Sequence, residues 1–328
     1  MRMFSRFFTL AALCAVFCIS NSADAQWPDY TQVGQTNYIE VGFRAYTRPG
    51  TDLDFPIFQD ANTNEVLFDA GDATSAQSAP GVELSYFFQS PLKRQLEFRT
   101  ILGNFDNSTL IDGRDITTPF LPGTLIDSVE YNYDSRIFSF ELNAHRPLRQ
   151  GISVFGGPRF VSLDDQVTVI STVDANFPAQ PDDFVDTRIA EAINHLIGLQ
   201  AGLRFDVQAS SRIRGAGFIR AGGYFNPTTV RTSLNAQFVT VPFGQTLPPQ
   251  QTLDTELTKS TGTLLVETGG KVFFDVTPNF SCFAGYEATW IDGVALGPTS
   301  FFTPDSTDVE TANTLFLNAI TAGMQFRW

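Results

Sequence analysis

Apolar and polar residues alternate with a period of two through most of the chain, and helical periodicity is hard to find. The last segment is the clearest. Ile320, Ala322, Met324, Phe326 and Trp328 fall on one face, and Thr321, Gly323, Gln325 and Arg327 on the other. In 195–207, Ile197, Leu199, Ala201, Leu203 and Phe205 alternate with Gly198, Gln200, Gly202, Arg204 and Asp206. Ten such segments can be drawn, at 37–46, 81–90, 94–105, 129–145, 150–170, 188–208, 211–226, 260–277, 279–292 and 313–328. Many reach ten residues, the length of a tilted strand that crosses a bilayer, where ordinary strands have ~5–6.

The connections alternate as well. Those at 91–93, 146–149, 209–210 and 278 are short; those at 47–80, 106–128, 171–187, 227–259 and 293–312 are long and rich in Asp, Asn, Thr, Pro and Gly. Alternating short turns and long loops around an even number of strands predicts an up-and-down antiparallel barrel, with its turns in the periplasm and its loops outside. Lipid offers no partner to backbone N–H and C=O groups, so a sheet crosses a bilayer only when it closes on itself. The fold expected is therefore an all-β transmembrane barrel of ten strands spanning 26–328. Twelve strands are the alternative, because 234–241 could add another. A soluble sandwich also alternates, but it accounts for neither the strand lengths nor the order of the connections.

Composition fits a two-faced sheet. Only 17% of the 328 residues are charged, 32 are Phe, and the mean hydropathy is −0.03. Such an average is the sum of a lipid-facing half and a water-facing half, with the Phe excess expected mostly at outward positions. Residues 1–25 read as a secretory signal peptide: Arg2 and Arg6, an apolar core over 7–19, and Ala23-Asp24-Ala25, with cleavage between Ala25 and Gln26. Cleavage removes Cys14 and Cys18, leaves Cys282 without an intrachain partner, and changes the net charge from −14 to −15. So acidic a chain excludes nucleic acid as a partner. The partner expected is outer-membrane lipid, with small solutes as possible cargo. No oligomer interface is legible.

Four stretches carry a family resemblance: 155–165 (FGGPRFVSLDD), 194–207 (NHLIGLQAGLRFDV), 220–226 (RAGGYFN) and 283–296 (FAGYEATWIDGVAL); the closing 316–328 fits as well. On these the chain resembles the bacterial beta-barrel porin 7 family of outer-membrane proteins. The resemblance covers the second half of the chain and implies a barrel in the bacterial outer membrane and diffusion of small solutes. It brings no site residues with it.

If the apolar face meets lipid, the lumen receives Glu40, Arg44, Glu83, Glu97, Arg99, Glu141, Arg204, Asp206, Arg212, Arg214, Arg220, Glu267, Lys271, Asp275, Glu287 and Arg327. Opposed charges across a water path would select solutes; paired charges would fill the interior. Both outcomes are open, because eight-stranded barrels are filled and sixteen-stranded ones conduct. The competing function is a non-conducting structural or adhesive barrel acting through its acidic loops. Catalysis is not expected. His145 falls at a predicted turn, His195 sits near an external strand end at the height of Asp164 and Asp165, and no nucleophile motif, cofactor fingerprint or metal-ligand cluster is visible. Tyr46, Tyr286, Trp290, Phe326 and Trp328 lie near predicted strand ends, where an interfacial aromatic girdle belongs.

Overall fold

The computed structural model describes residues 37–48, 56–69, 76–89, 95–117, 126–173, 184–238, 251–302 and 309–328. The expected cleavage site at Ala25–Gln26 lies outside them. In chain order the strands are β1 (Tyr38–Arg48), β2 (Pro56–Asp60), β3 (Val66–Asp69), β4 (Ala76–Gln89), β5 (Gln95–Thr117), β6 (Ile126–Arg149), β7 (Ile152–Val173), β8 (Phe184–Gln208), β9 (Ile213–Phe238), β10 (Gln251–Thr277), β11 (Phe280–Val294) and β12 (Asn313–Arg327). One short helix, α1 (Gly297–Phe302), lies between the last two.

Ten strands make the barrel. Each of β4 to β12 pairs antiparallel with its chain neighbour, β1 pairs with β4, and β12 returns to pair with β1 along Tyr38↔Arg327 to Thr47↔Asn318. The remaining two strands, β2 and β3, form a hairpin that adds to the sheet at the top of β5 (Gln59↔Thr117). The extra strand pair thus arises within 47–80 and not at 234–241. Leu234 to Phe238 are instead the upper end of β9, and 239–241 fall outside the described residues.

The ring has uneven walls. β5 to β10 run 22–27 residues each, whereas β1, β4, β11 and β12 run 11–15. Much of what the alternation assigns to loops at 106–128, 171–187 and 227–259 is strand. The reason is an inversion of the pattern. In β6 the outward positions Phe138, Phe140 and Leu142 are apolar, and Ser139, Glu141 and Asn143 are buried inside. Above Arg136 the sense reverses: Glu130, Asn132 and Asp134 face out, while Val129, Tyr131 and Tyr133 are buried. β7 inverts at the same height, with Asp164 paired to Arg136 in register. An outward face turns from apolar to polar where lipid gives way to water, so the six long strands project beyond the bilayer.

The turns at the other end are tight. Gly151 takes φ 75° in the turn from Arg149 to Ile152, which starts after Arg-Pro-Leu-Arg and not within it. At the outer end of β11, Gly293 at φ 89° turns the chain inward. Val294, Ala295, Leu296 and residues Gly297–Ser300 of α1 are consequently buried inside the barrel, with α1 packed on β7, β8 and β9.

Candidate functional site

The lumen is the place to look for function, and its contents follow from the parity of each strand. Glu40 and Arg44 come from β1, Glu83 from β4, Glu97 and Arg99 from β5, Arg220 from β9, Glu267 and Lys271 from β10, and Glu287 from β11; all but Lys271 are buried. They meet in one layer at membrane level. Arg44 reaches Glu287 at 2.8 Å and Glu83 at 3.3 Å. Arg99 donates to Glu83 at 2.9 Å and to Glu287 at 2.6 Å. Lys271 lies 2.9 Å from both Glu40 and Glu83. Arg220 donates to Glu141 and Glu267, and Arg159 also donates to Glu267. Neutral donors fill in: Gln200 to Glu141 at 2.8 Å, Thr289 to Glu267 at 3.0 Å and Gln325 to Glu40 at 2.8 Å.

Below this layer lies the inner rim of the periplasmic end. Arg204 bonds to Asp206 at 3.1 Å, Arg214 to Asp275 at 3.1 Å, and Arg327 also to Asp275. Glu97 accepts from His145 Nε2 at 2.9 Å. His145 is therefore not in a turn. It is buried in β6, stacked on Phe155 with centroids 5.1 Å apart. Arg212 departs from the list of lumen residues: it lies in the exposed turn between β8 and β9.

Arg159 and Gln200 extend the charged layer beyond the residues named from sequence. The parity of β7 does carry Arg159 inward, but the Gly156-Gly157-Pro158 stretch before it conceals the alternation. A second inward cluster, higher up, was equally hidden. Arg48, at the end of β1, bonds to Tyr133 and lies 3.5 Å from Asp165, which also accepts from Tyr133 at 2.9 Å and from Ser135.

Between and above these charges the interior is apolar. Tyr46, Ile101, Phe105, Ile137, Leu163 and Leu196 belong to a first buried cluster that also takes in Val294 and Leu296 of the inturned segment. Asn194 holds that segment by both ends of its amide, donating to Ala295 O at 2.8 Å and accepting from Ala295 N at 2.9 Å. Higher up, the β2–β3 hairpin packs on β5, β6 and β7. Its Phe58 and Phe68 pack with Tyr131, Val129 and Val169 in a second cluster, Phe68 lying 4.8 Å from Tyr131. A cavity of about 60 Å³ lies on the periplasmic side, lined by Glu40, Glu97, Arg99, His145, Arg204 and Lys271 among others. That is room for a few waters.

One other expectation changes. Tyr46 is no girdle residue; it is buried inside, with the Arg44 guanidinium over its ring at 5.1 Å. Phe occupies both faces: Phe43, Phe138, Phe140, Phe205, Phe225, Phe274 and Phe326 are exposed, and Phe87, Phe105, Phe155, Phe273 and Phe283 are buried within the lumen. Tyr286 faces lipid in mid-strand and donates to Asn318. Trp328 stacks with Tyr86 at the periplasmic edge, as a girdle requires. His195 faces outward and meets Ser162 at 3.2 Å, whereas Asp165 points inward.

A closed antiparallel sheet, apolar where it meets lipid and charged within, has one setting. It is an outer-membrane β-barrel. No family model and no curated protein matches the chain. Among solved structures it is similar to the outer-membrane protease OmpT of Escherichia coli (11% identity, 89% of this chain and 97% of that one, TM-score 0.40). It is also similar to the attachment invasion locus protein Ail of Yersinia pestis (10% identity, 90% and 99%, TM-score 0.31). A third is the toluene transporter TbuX of Ralstonia pickettii (10% identity, 90% and 90%, TM-score 0.28). At such identities and TM-scores the likeness carries no argument about what the chain does.

Proposed function

We propose that the protein is a non-conducting, non-enzymatic outer-membrane barrel that acts at the cell surface through its projecting wall. The observation that carries this reading is the mutual pairing of the lumen charges. Glu83, Arg44, Arg99, Glu287 and Lys271 spend their hydrogen-bonding capacity on one another across the barrel, leaving them little to offer a passing solute. The inturned segment and the β2–β3 hairpin add two apolar layers above. The outward surface beyond the bilayer is acidic, with Asp106, Glu130, Asp134, Asp164, Glu191 and Glu256 against Arg136 and Arg231, and it is the part of the molecule that a partner outside the cell would meet.

Purified protein in planar bilayers tests the reading. The expected result is baseline conductance; defined steps would establish the alternative, passive diffusion of small hydrophilic solutes. That alternative is supported by the water-sized cavity on the periplasmic side.

A further inference from the structure

The chain is strongly acidic, yet its periplasmic end is basic. Among the described residues Arg146, Arg149, Arg204, Arg212, Arg214 and Arg327 are there, against Asp206, Asp275 and Glu97, which is held by His145. The six arginines divide by direction. Arg204, Arg214 and Arg327 line the inner rim and are bound to Asp206 and Asp275. Arg146, Arg149 and Arg212 are exposed in or beside the turns β6–β7 and β8–β9, and none has a carboxylate within ion-pair reach among the described residues.

The surroundings of these three point to their partner. Arg146 stands on the lipid-facing side of β6, opposite Val154 of β7. Leu148, between Arg146 and Arg149, is 59% exposed, and Ile213, next to Arg212, is 42% exposed. An exposed aliphatic side chain beside a free guanidinium is at home where acyl chain meets headgroup: the aliphatic part enters the hydrocarbon and the charge reaches back to phosphate. A soluble anion would give Leu148 and Ile213 nothing to bury against. At the opposite face of the bilayer, Arg136 and Arg231 are already held by Asp134, Glu191 and Glu256.

We infer that Arg146, Arg149 and Arg212 form a recognition surface for anionic phospholipid in the inner leaflet of the outer membrane. Guanidinium pairs with phosphate in a bidentate fork, and a basic residue at a negatively charged membrane surface contributes about 1 kcal/mol. The barrel would thus carry a collar of anionic lipid on the side of its β6–β9 wall.

The test uses the full-length protein reconstituted in mixed phosphatidylcholine–phosphatidylglycerol vesicles, with the lipid that it retains on gentle detergent extraction identified by mass spectrometry and compared with the bulk composition. Wild type is expected to prefer phosphatidylglycerol about fivefold, as a gain of about 1 kcal/mol dictates. The preference should vanish in the Arg146→Gln/Arg149→Gln/Arg212→Gln variant and fall in high salt. Heat-modifiable migration on a gel shows that the variant is folded; should the triple variant not fold, Arg149→Gln alone is measured, with a reduced preference expected. An unchanged preference in a folded variant overturns the inference. So does displacement by inorganic phosphate, which would mark a soluble-anion site. Arginine-dependent co-sedimentation with purified peptidoglycan, without any lipid preference, would assign the surface to a different partner and overturn it too.

Discussion

The interior has two storeys built from opposite chemistry. At membrane level the ring is filled by Glu83, Arg99, Glu267, Arg220 and their partners, all carried by strands. Under the projecting wall it is filled by Phe58, Phe68, Tyr131, Val129 and Val169. The contrast follows from what lies outside. In lipid the outward face is apolar and the inner face carries the charges, which must satisfy one another among buried rings such as Phe87, Phe273 and Phe283. Above the bilayer the outward face is in water, and the inner face must exclude water to hold the wall together. One sheet obeys both rules by reversing its alternation near Arg136 and Asp164.

This contrast can be broken from either storey. The largest effect is expected below. Glu267→Ala leaves Arg159 and Arg220 short of a partner in a buried layer, which costs about 3–5 kcal/mol; urea unfolding of the vesicle-inserted protein should show the whole barrel destabilised. Above, Phe58→Ala removes a fully buried ring at about 3 kcal/mol, but the loss should stay local. Limited proteolysis within 61–65 should accelerate while heat-modifiable migration remains. Accelerated proteolysis accompanied by loss of the barrel would show that the storeys are not separable.

Two smaller perturbations sharpen the boundary. Asn194→Ala deletes both bonds to Ala295 and should loosen the inturned segment by about 1–3 kcal/mol, read as faster amide exchange over 293–300 with β5 to β7 unchanged. The smallest effect concerns the hairpin turn. Asp60 accepts from the backbone N–H of Asn62 and Thr63, each at 2.8 Å, and these bonds hold its carboxyl below the usual carboxylate range. A depressed folded-state value stabilises above the unfolded value, near 3.9, and that contribution is lost as the pH falls through the folded value. Protection of the Thr63 and Asn62 amides, taken relative to their intrinsic exchange at each pH, should therefore fall in acid, and Asp60→Asn should lower it at neutral pH and flatten the dependence.

The same inversion explains what was legible in the sequence. Strand number, barrel closure and the lumen positions of Glu40, Arg44, Arg99 and Lys271 follow from apolar-outward parity, which holds wherever lipid does. The strand ends predicted near 105 and 226 fall close to where that polarity reverses, whereas those at 129 and 170 lie past the reversal at Arg136 and Asp164. Beyond them, alternation continues with the opposite sense and resembles polar loop. Arg159 was masked by Gly157 and Pro158, which interrupt the pattern without interrupting the strand. The segment 37–46 leaves Arg48 in a loop, because β1 runs two residues past Tyr46, and nothing local marks Asp165 as its partner. The inturned segment depends on Gly293 and on Asn194, about a hundred residues apart, a separation at which periodicity carries no information.

The charged layer also bears on how the barrel enters the membrane. Its contacts join distant parts of the chain: Arg99 to Glu287, Lys271 to Glu40, and Gln325 to Glu40, at separations of 188, 231 and 285 residues. Arg44 and Arg99 already meet Glu83 of β4, and Arg99 also Glu141 of β6, but the cation that faces Glu40 is Lys271 of β10. A partial sheet of early strands would leave Glu40 in hydrocarbon without a cationic partner. The layer is thus complete only when β10 to β12 join β1 and β4, and part of its stabilisation belongs to closure of the ring and to no run of consecutive strands.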